Sequence, residues 1–188
     1  MIKKALIPLA TGCEELEAVT VIDIFRRAGI EVTSACLDDE MSPVTASRGI
    51  KILADKALND ALKTDYDIVV LPGGQPGTDN LRKDARILDL VKSMNANDKL
   101  VAAICAAPMI LAEAGILAGI KATGYPGSLA RYTASGIEVE MNKSVVRDGN
   151  IITSQGPGTA MDFALELTEI IMGSEKRKEV QEGLQCKC

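Results

Sequence analysis

The sequence contains no histidine. That absence removes whole classes of chemistry, because a Ser-His-Asp triad, a Cys-His dyad and a histidine-ligated zinc or iron site cannot be built within this chain. Long apolar runs are missing too. No stretch approaches the roughly 20 residues a membrane-spanning helix needs, and the opening "MIKKALIPLA" is too short for the apolar core of a secretory signal. Basic blocks are also absent. The 21 Lys and Arg are outnumbered by 26 Asp and Glu, giving a net charge of -5, and they are scattered among the acids, which leaves no patch for nucleic acid or an anionic membrane. No repeat, linker or polar low-complexity stretch interrupts the chain, which excludes disordered, collagen-like and mucin-like classes. The expected partner is a small molecule and the expected compartment the cytoplasm.

What is present fits one globular domain. With 188 residues, 47% of them hydrophobic and 25% charged, the chain can bury a proper core over 1–188, with 174–188 read as a charged C-terminal tail. Five cysteines make an odd and irregularly spaced set, and Cys13, Cys36 and Cys105 each lie in or beside an apolar run, so reduced thiols are expected rather than a disulfide framework. The terminal "CKC" reads as a frayed end and receives no function.

Strand-like and helix-like segments alternate along the chain, which predicts an α/β fold with a mainly parallel sheet. "KKALIPLA" predicts a first strand, "LEAVTVIDIFRRAG" a helix stopped by Gly29, and "IEVTSACL" a second strand. "SPVTASRGIKILAD" predicts a hairpin or two edge strands around Gly49, and "DIVVLPGG" a buried strand entering a glycine loop. A helix over 85–95 precedes the strand "KLVAAI", and "APMILAEAG" predicts a helix with Pro108 in its first turn and Gly115 at its end. A short strand "KATG", a hairpin over 143–154 turning at Asp148-Gly149, and a helix from Thr159 to Gly173 with Asp162 completing a capping box finish the pattern. Four loops, "ATGCEE", "PGGQPG", "CAAP" and "SQGPGT", each follow a strand, three of them leading into a helix. They should therefore share the carboxyl edge of the sheet, where open α/β sheets bind ligands.

Cys105 stands at a strand-to-helix junction on that edge. Buried thiols are usually inert core, but a thiol facing a helix N-terminus and unpaired N–H groups should form a thiolate more readily, with a pKa below ~8.5. Ala106 and Ala107 are small enough for a sharp turn. Glu14, Glu15 and Glu17 lie at the end of the first strand, and Glu17 sits between apolar Leu16 and Ala18, where a surface role is least natural. Acidic residues are ordinary in a helix's first turn, yet a carboxyl in a dry crevice has a raised pKa and can shuttle protons, and with no histidine it is the natural acid or base. The glycines of "LPGGQPG" most often mark a turn, but they can also present N–H groups to an anionic ligand or transition state. Neither a Walker lysine pattern nor GxGxxG accompanies them.

"LATGCEELEAV", "DIFRRAGIEVT", "SRGI", "VVLPGG", "AAICAAP" and "TSQGPGTAMDFAL" occur in one order across about residues 3 to 173, and on them the chain resembles the ThiJ/PfpI superfamily, in the branch of the Parkinson-disease-associated deglycase and its bacterial YajL-like members. The resemblance implies a flavodoxin-like three-layer sandwich of the class I glutamine amidotransferase-like kind, and a homodimer formed through the first helix. It implies Cys105 as nucleophile and Glu17 as its carboxyl partner, with the amides of Gly74 and Ala106 as an oxyanion site. Gly73, Arg48, Arg27, Asp23, Tyr125 and Pro157 would line or frame the pocket. Tyr125 stands where many members carry histidine, as aromatic residues do in YajL-like members, and implies a modified site. Ala106 stands where protease-like members place a histidine, which speaks against a peptidase. The implied activity is that of a glutathione-independent glyoxalase or a deglycase acting on glyoxal, methylglyoxal or early glycation adducts of proteins and nucleotides, with no cofactor and no metal. The alternative is a non-enzymatic oxidative-stress sensor or chaperone that uses Cys105 oxidation.

Overall fold

The computed structural model describes residues 2–186, so Cys188 of the terminal pair lies outside the described residues. In chain order the elements are β1 (Lys4–Leu9), α1 (Glu15–Arg27), β2 (Glu31–Cys36), β3 (Val44–Thr45), β4 (Lys51–Ile52), β5 (Lys56–Ala57), α2 (Leu58–Ala61), β6 (Ile68–Leu71) and α3 (Gly77–Lys83). They continue as α4 (Ala85–Ala96), β7 (Leu100–Ile104), α5 (Pro108–Glu113), β8 (Lys121–Ala122), β9 (Glu138–Val139), β10 (Val145–Asp148), β11 (Ile151–Ser154), α6 (Ala160–Met172) and α7 (Ser174–Gly183).

Among the described residues, seven strands form one sheet in the order β10-β11-β7-β6-β1-β2-β5. All neighbours are parallel except the β10–β11 hairpin at one edge. Alternation along each strand divides the core into two layers. In β1, Ala5, Ile7 and Leu9 face one side, where Val21, Ile24 and Phe25 of α1 and Phe163 and Leu167 of α6 cover them. Leu6 faces the other side, packed with Leu81 of α3, Ile87 and Val91 of α4 and Ile110 of α5. Helices thus cover both faces, and the β2-β1-β6-β7-β11 run has the flavodoxin-like strand order.

Most of the predicted elements form. Gly29 and Gly173 end α1 and α6 at φ +80° and +91°, as helix-stopping glycines do. Several details differ. The 143–154 hairpin pairs Asp148 with Ile151, so its two loop residues are Gly149 and Asn150, one position later than expected. The capping box at Thr159 does not form: a 3₁₀ turn over Pro157–Thr159 precedes α6 and Thr159 makes no side-chain cap. Its hydroxyl turns back instead, 2.7 Å from Ser154 Oγ and 3.1 Å from the Gly156 N–H it accepts. The charged segment from Ser174, expected as a tail, carries regular structure. It is helical to Gly183, buries Val180 against the α1/α6 core, and ties Arg177 to Glu166 and Glu169. Helix α3 was hidden by the Gly and Pro residues that precede it, and it makes all four site loops lead into helices.

Candidate active site

The chain leaves β1 for β2 on one side and later returns to place β6 on the other, so the loops after β1 and β6 flank a crevice at the carboxyl edge. The Glu14 N–H bridges that crevice to the Gly73 carbonyl at 2.9 Å. Gly74 lies at φ +88°, and a Cβ there would stand 2.4 Å from the Glu14 nitrogen, so the two loops meet as backbone on backbone.

Cys105 follows β7 directly and adopts φ +63°, a left-handed conformation that costs a non-glycine residue about 1–3 kcal/mol. Its neighbours impose that conformation. The Cys105 N–H donates to the Ser154 carbonyl of β11 at 3.0 Å, and its carbonyl accepts the Tyr125 N–H at 2.7 Å. Pinned on both sides, the residue turns its thiol out of the sheet. It is 8% exposed, whereas Cys13 and Cys36 are at 0% and 1%. The N–H groups of Gly74 and Ala106 both donate toward the sulfur.

Glu17 comes from the first turns of α1 and is wholly buried. Its Oε2 accepts the Gly73 N–H at 2.8 Å, which orients the carboxyl. Its Oε1 has no hydrogen bond of ordinary geometry, and the Cys105 thiol is the side chain with which the carboxyl interacts. Burial pushes the Glu17 carboxyl up to about 7, against the pull of the Gly73 N–H. A neutral acid with a free oxygen therefore faces the thiol close to physiological pH.

The expectation of a thiol pKa below the ordinary value is corrected. Burial, and next the Glu17 charge, push Cys105 up to about 12, while the Gly74 and Ala106 N–H groups pull it back. Helix α5 has only 6 residues and gives the thiol little dipole to set against a carboxylate beside it in a dry crevice. The two groups compete for one proton, and a thiolate forms when the carboxyl holds it.

The structure gathers the other expected residues unevenly. Tyr125 is 55% exposed and stands beside Gly156, whose added Cβ would lie 3.6 Å from the Tyr125 ring. Pro157 lies in the neighbouring 3₁₀ turn. Arg48 is exposed, and it is its backbone N–H that is engaged, donating to Glu15 Oε1 at 2.9 Å. Asp23 and Arg27 pair with each other at 2.7 Å on the exposed side of α1. Glu14 and Glu15 do not enter the crevice chemistry: the Ser47 hydroxyl spans them at 2.7 and 2.9 Å and fastens the β3–β4 hairpin to α1. Cys13 is inert core, its thiol pushed up to about 11 by burial and then by Glu15. Sequence reading missed Ser154, whose carbonyl holds Cys105; a backbone contact between strands leaves no mark in residue type. Among the described residues no three Cys, Asp or Glu side chains converge as metal ligands would, and no helix is long and apolar enough to cross a membrane.

With this arrangement in view, residues 3–170 match the DJ-1/PfpI family model. The chain is 43% identical over 184 residues to Protein dj-1beta of Drosophila melanogaster, covering 98% of this chain and 97% of that one. The crystal structure of Drosophila melanogaster DJ-1beta superposes with a TM-score of 0.95 at 42% identity, each chain covered in full at 100%. A Caenorhabditis elegans relative named glutathione-independent glyoxalase DJR-1.2 is 35% identical over 183 residues, 97% of this chain and 96% of that one. Agreement in sequence and in backbone along the whole length places this chain in the DJ-1/PfpI family, within its DJ-1 branch.

Proposed function

We propose that the protein is a cysteine-dependent, glutathione-independent glyoxalase that converts a 2-oxoaldehyde and water to a 2-hydroxy acid. The observation that carries this reading is the wholly buried Glu17, one oxygen held by Gly73 and the other left for the Cys105 thiol. The name of the Caenorhabditis elegans relative supports it.

Each step then has a residue. The Cys105 proton passes to Glu17 and the thiolate adds to the aldehyde carbon, forming a C–S bond, while the Gly74 and Ala106 amides receive the oxyanion. Glu17 hands that proton to the hemithioacetal oxyanion; as a carboxylate again it takes the aldehydic hydrogen as a proton and returns it to the adjoining carbon through an enediol. The aldehyde carbon is thereby oxidised and its neighbour reduced, with no outside electron carrier. Water cleaves the resulting thioester and restores the thiol. With a hemiaminal of a glycated amine the thiolate would instead displace the amine, the C–S bond forming as the C–N bond breaks and Glu17 passing the thiol proton to the leaving nitrogen, and the same later steps would make the protein a deglycase.

A homodimer through α1 belongs to the same reading. Leu16 and Val19 are half exposed on α1, and Ile50 and Leu53 are 56% and 69% exposed on the hairpin fastened beside it. A second copy would cover this apolar face and bring Asp23 and Arg27 to the interface. The cytoplasm is the proposed compartment.

The test is an assay of purified protein with methylglyoxal, following lactate. Turnover by the wild type that is lost in Cys105→Ser supports the reading, and turnover that survives this substitution overturns it.

A further inference from the structure

Two successive residues of β11 reach the two sides of Cys105. The Ser154 carbonyl accepts the Cys105 N–H at 3.0 Å, and the Ser154 hydroxyl donates to the Ser144 carbonyl at 2.7 Å, which ties down the strand end that makes this contact. Thr153 acts at one remove. Its Oγ1 accepts the Thr123 N–H at 2.8 Å, and two residues further on the Tyr125 N–H donates to the Cys105 carbonyl at 2.7 Å. Thr123 and Thr153 are both wholly buried, so water cannot replace this bond where it stands. Gly124, between Thr123 and Tyr125, lies directly on the thiol loop, since a Cβ there would stand 3.1 Å from the Cys105 carbonyl oxygen. The attachment of this segment to the main sheet depends on side chains. β8 pairs with β9 in a separate two-stranded sheet. The N–H groups of Lys121 and of Thr123, just past its end, go to Asp148 Oδ2 at 2.9 Å and to Thr153 Oγ1. Asp148 stands at the turn of the β10–β11 hairpin, whereas Thr153 is in register with Ala103, two residues before the thiol.

We propose that Thr153 is a positioning residue for the reactive thiol: through Thr123 and Tyr125 its hydroxyl holds the Cys105 carbonyl, and with it the left-handed conformation at φ +63° that turns the sulfur out of the sheet. A non-glycine residue keeps such a conformation only where its surroundings over-determine it. Loss of the Thr153 acceptor leaves the Thr123 N–H unpaired in the interior, which draws the segment toward water and frees the Cys105 carbonyl. Cys105 then relaxes, and the sulfur leaves Glu17 and the Gly74 and Ala106 N–H groups with which it interacts. The role is the same whichever substrate or oxidant the thiol meets, and in this it goes beyond the glyoxalase reading.

The experiment alkylates Cys105 with iodoacetamide and divides the rate at about pH 7.5 by the rate at about pH 9.5 within each protein, so that general changes in access cancel. Glu17 is the titratable group that acts on this thiol, and Glu14 acts in turn on Glu17. In the wild type the pair has passed to one shared proton above about 7, and the two rates should be nearly equal. A thiol released from Glu17 titrates near ~8.5, and its ratio should fall at least about fivefold. That fall is expected in Thr153→Val, which keeps the shape of the side chain without the acceptor. Thr153→Ala adds no bulk and carries the comparison if the Val protein does not fold, which thermal unfolding by circular dichroism reports. Thr153→Ser retains the hydroxyl and should keep the wild-type ratio. Ile87→Val in α4 loosens the core without a link to the thiol loop and should keep it too. A ratio within twofold of wild type in the folded Val or Ala protein overturns the proposal. So does an equal fall in the Ser or Ile87→Val protein, or a wild-type ratio already at the value of a free thiol. Labelling needs no oxoaldehyde, so a failure to turn over methylglyoxal sinks the glyoxalase reading and leaves this result to decide the role of Thr153.

Discussion

Gly73 lies so close to Cys105 that a Cβ on it would stand 2.6 Å from the Cys105 Cβ and 3.0 Å from the Ala106 nitrogen. Both are parts of the thiol loop, so neither can give way without moving the sulfur. Gly73→Ala should destabilise the fold by about 1–3 kcal/mol and slow Cys105 alkylation at least tenfold. Urea unfolding and timed iodoacetamide labelling measure the two effects, and a variant with unchanged labelling would show that the close packing is incidental.

The shared proton sets the pH dependence of the thiol. Below about 7 the pair is fully protonated, and above it one proton remains, so that part of the population is thiolate beside a neutral acid. Cys105 alkylation should therefore rise as pH passes about 7, level off, and rise again only toward about 12. A single sigmoid centred near 9 would contradict the coupling.

The same carboxyl makes stability depend on pH. Its folded pKa is raised, so the protonated form favours the fold. The contribution is complete below about 4.5 and is lost as pH rises through about 7. Its full span is about 3 kcal/mol. The difference in unfolding free energy between wild type and Glu17→Gln, followed from pH 4 to pH 8, should fall by that order, and a flat difference would place the carboxyl in a wetter setting than the crevice provides.

Two substitutions at Glu17 separate charge from proton transfer. Glu17→Gln removes the negative charge and keeps a donor, so the thiol pKa should drop below about 12 while dicarbonyl turnover falls at least a hundredfold for want of a proton carrier. Glu17→Leu removes the donor as well and should leave the thiol pKa above that of the Gln variant. Equal turnover in wild type and the Gln variant would remove Glu17 from the mechanism.

Oxidation should be confined to Cys105. Among the described residues it is the most open of the free thiols Cys13, Cys36 and Cys105, and the Gly74 and Ala106 N–H groups can receive sulfinate oxygens. Stoichiometric peroxide should add two oxygens to its peptide and none to those of Cys13 or Cys36. A Cys13–Cys105 disulfide as the sole product would point instead to a resolving-thiol chemistry.

The layout of this site was largely legible before the fold was known. Cys105, Glu17 and the glycine pair were each ambiguous alone, and strand-helix alternation brought them to one sheet edge. What remained hidden is physical in kind. Helix α3 follows a Gly-Pro run that reads as loop. The short α5 weakens the dipole on which the low thiol pKa was argued, and the cost of a carboxylate beside a buried thiol depends on burial, which spacing does not report. Val180 docks a helix whose other residues are mostly polar, too slight an apolar signal to separate it from a loose tail.

The opening of α1 puts successive residues to unlike uses. Glu15 faces the hairpin, Leu16 and Val19 face outward, and Glu17 and Ala18 face the crevice and core. One residue inserted in α1 directly after Glu17 would turn Glu15, Leu16 and Glu17 by about 100° if the far end of the helix stayed fixed, sending Glu17 out of the crevice and Leu16 away from the outer face in the same movement. The spacing from Glu17 to the core-facing Val21 is thus a functional quantity in its own right, because that count of residues sets the phase of both surfaces at once.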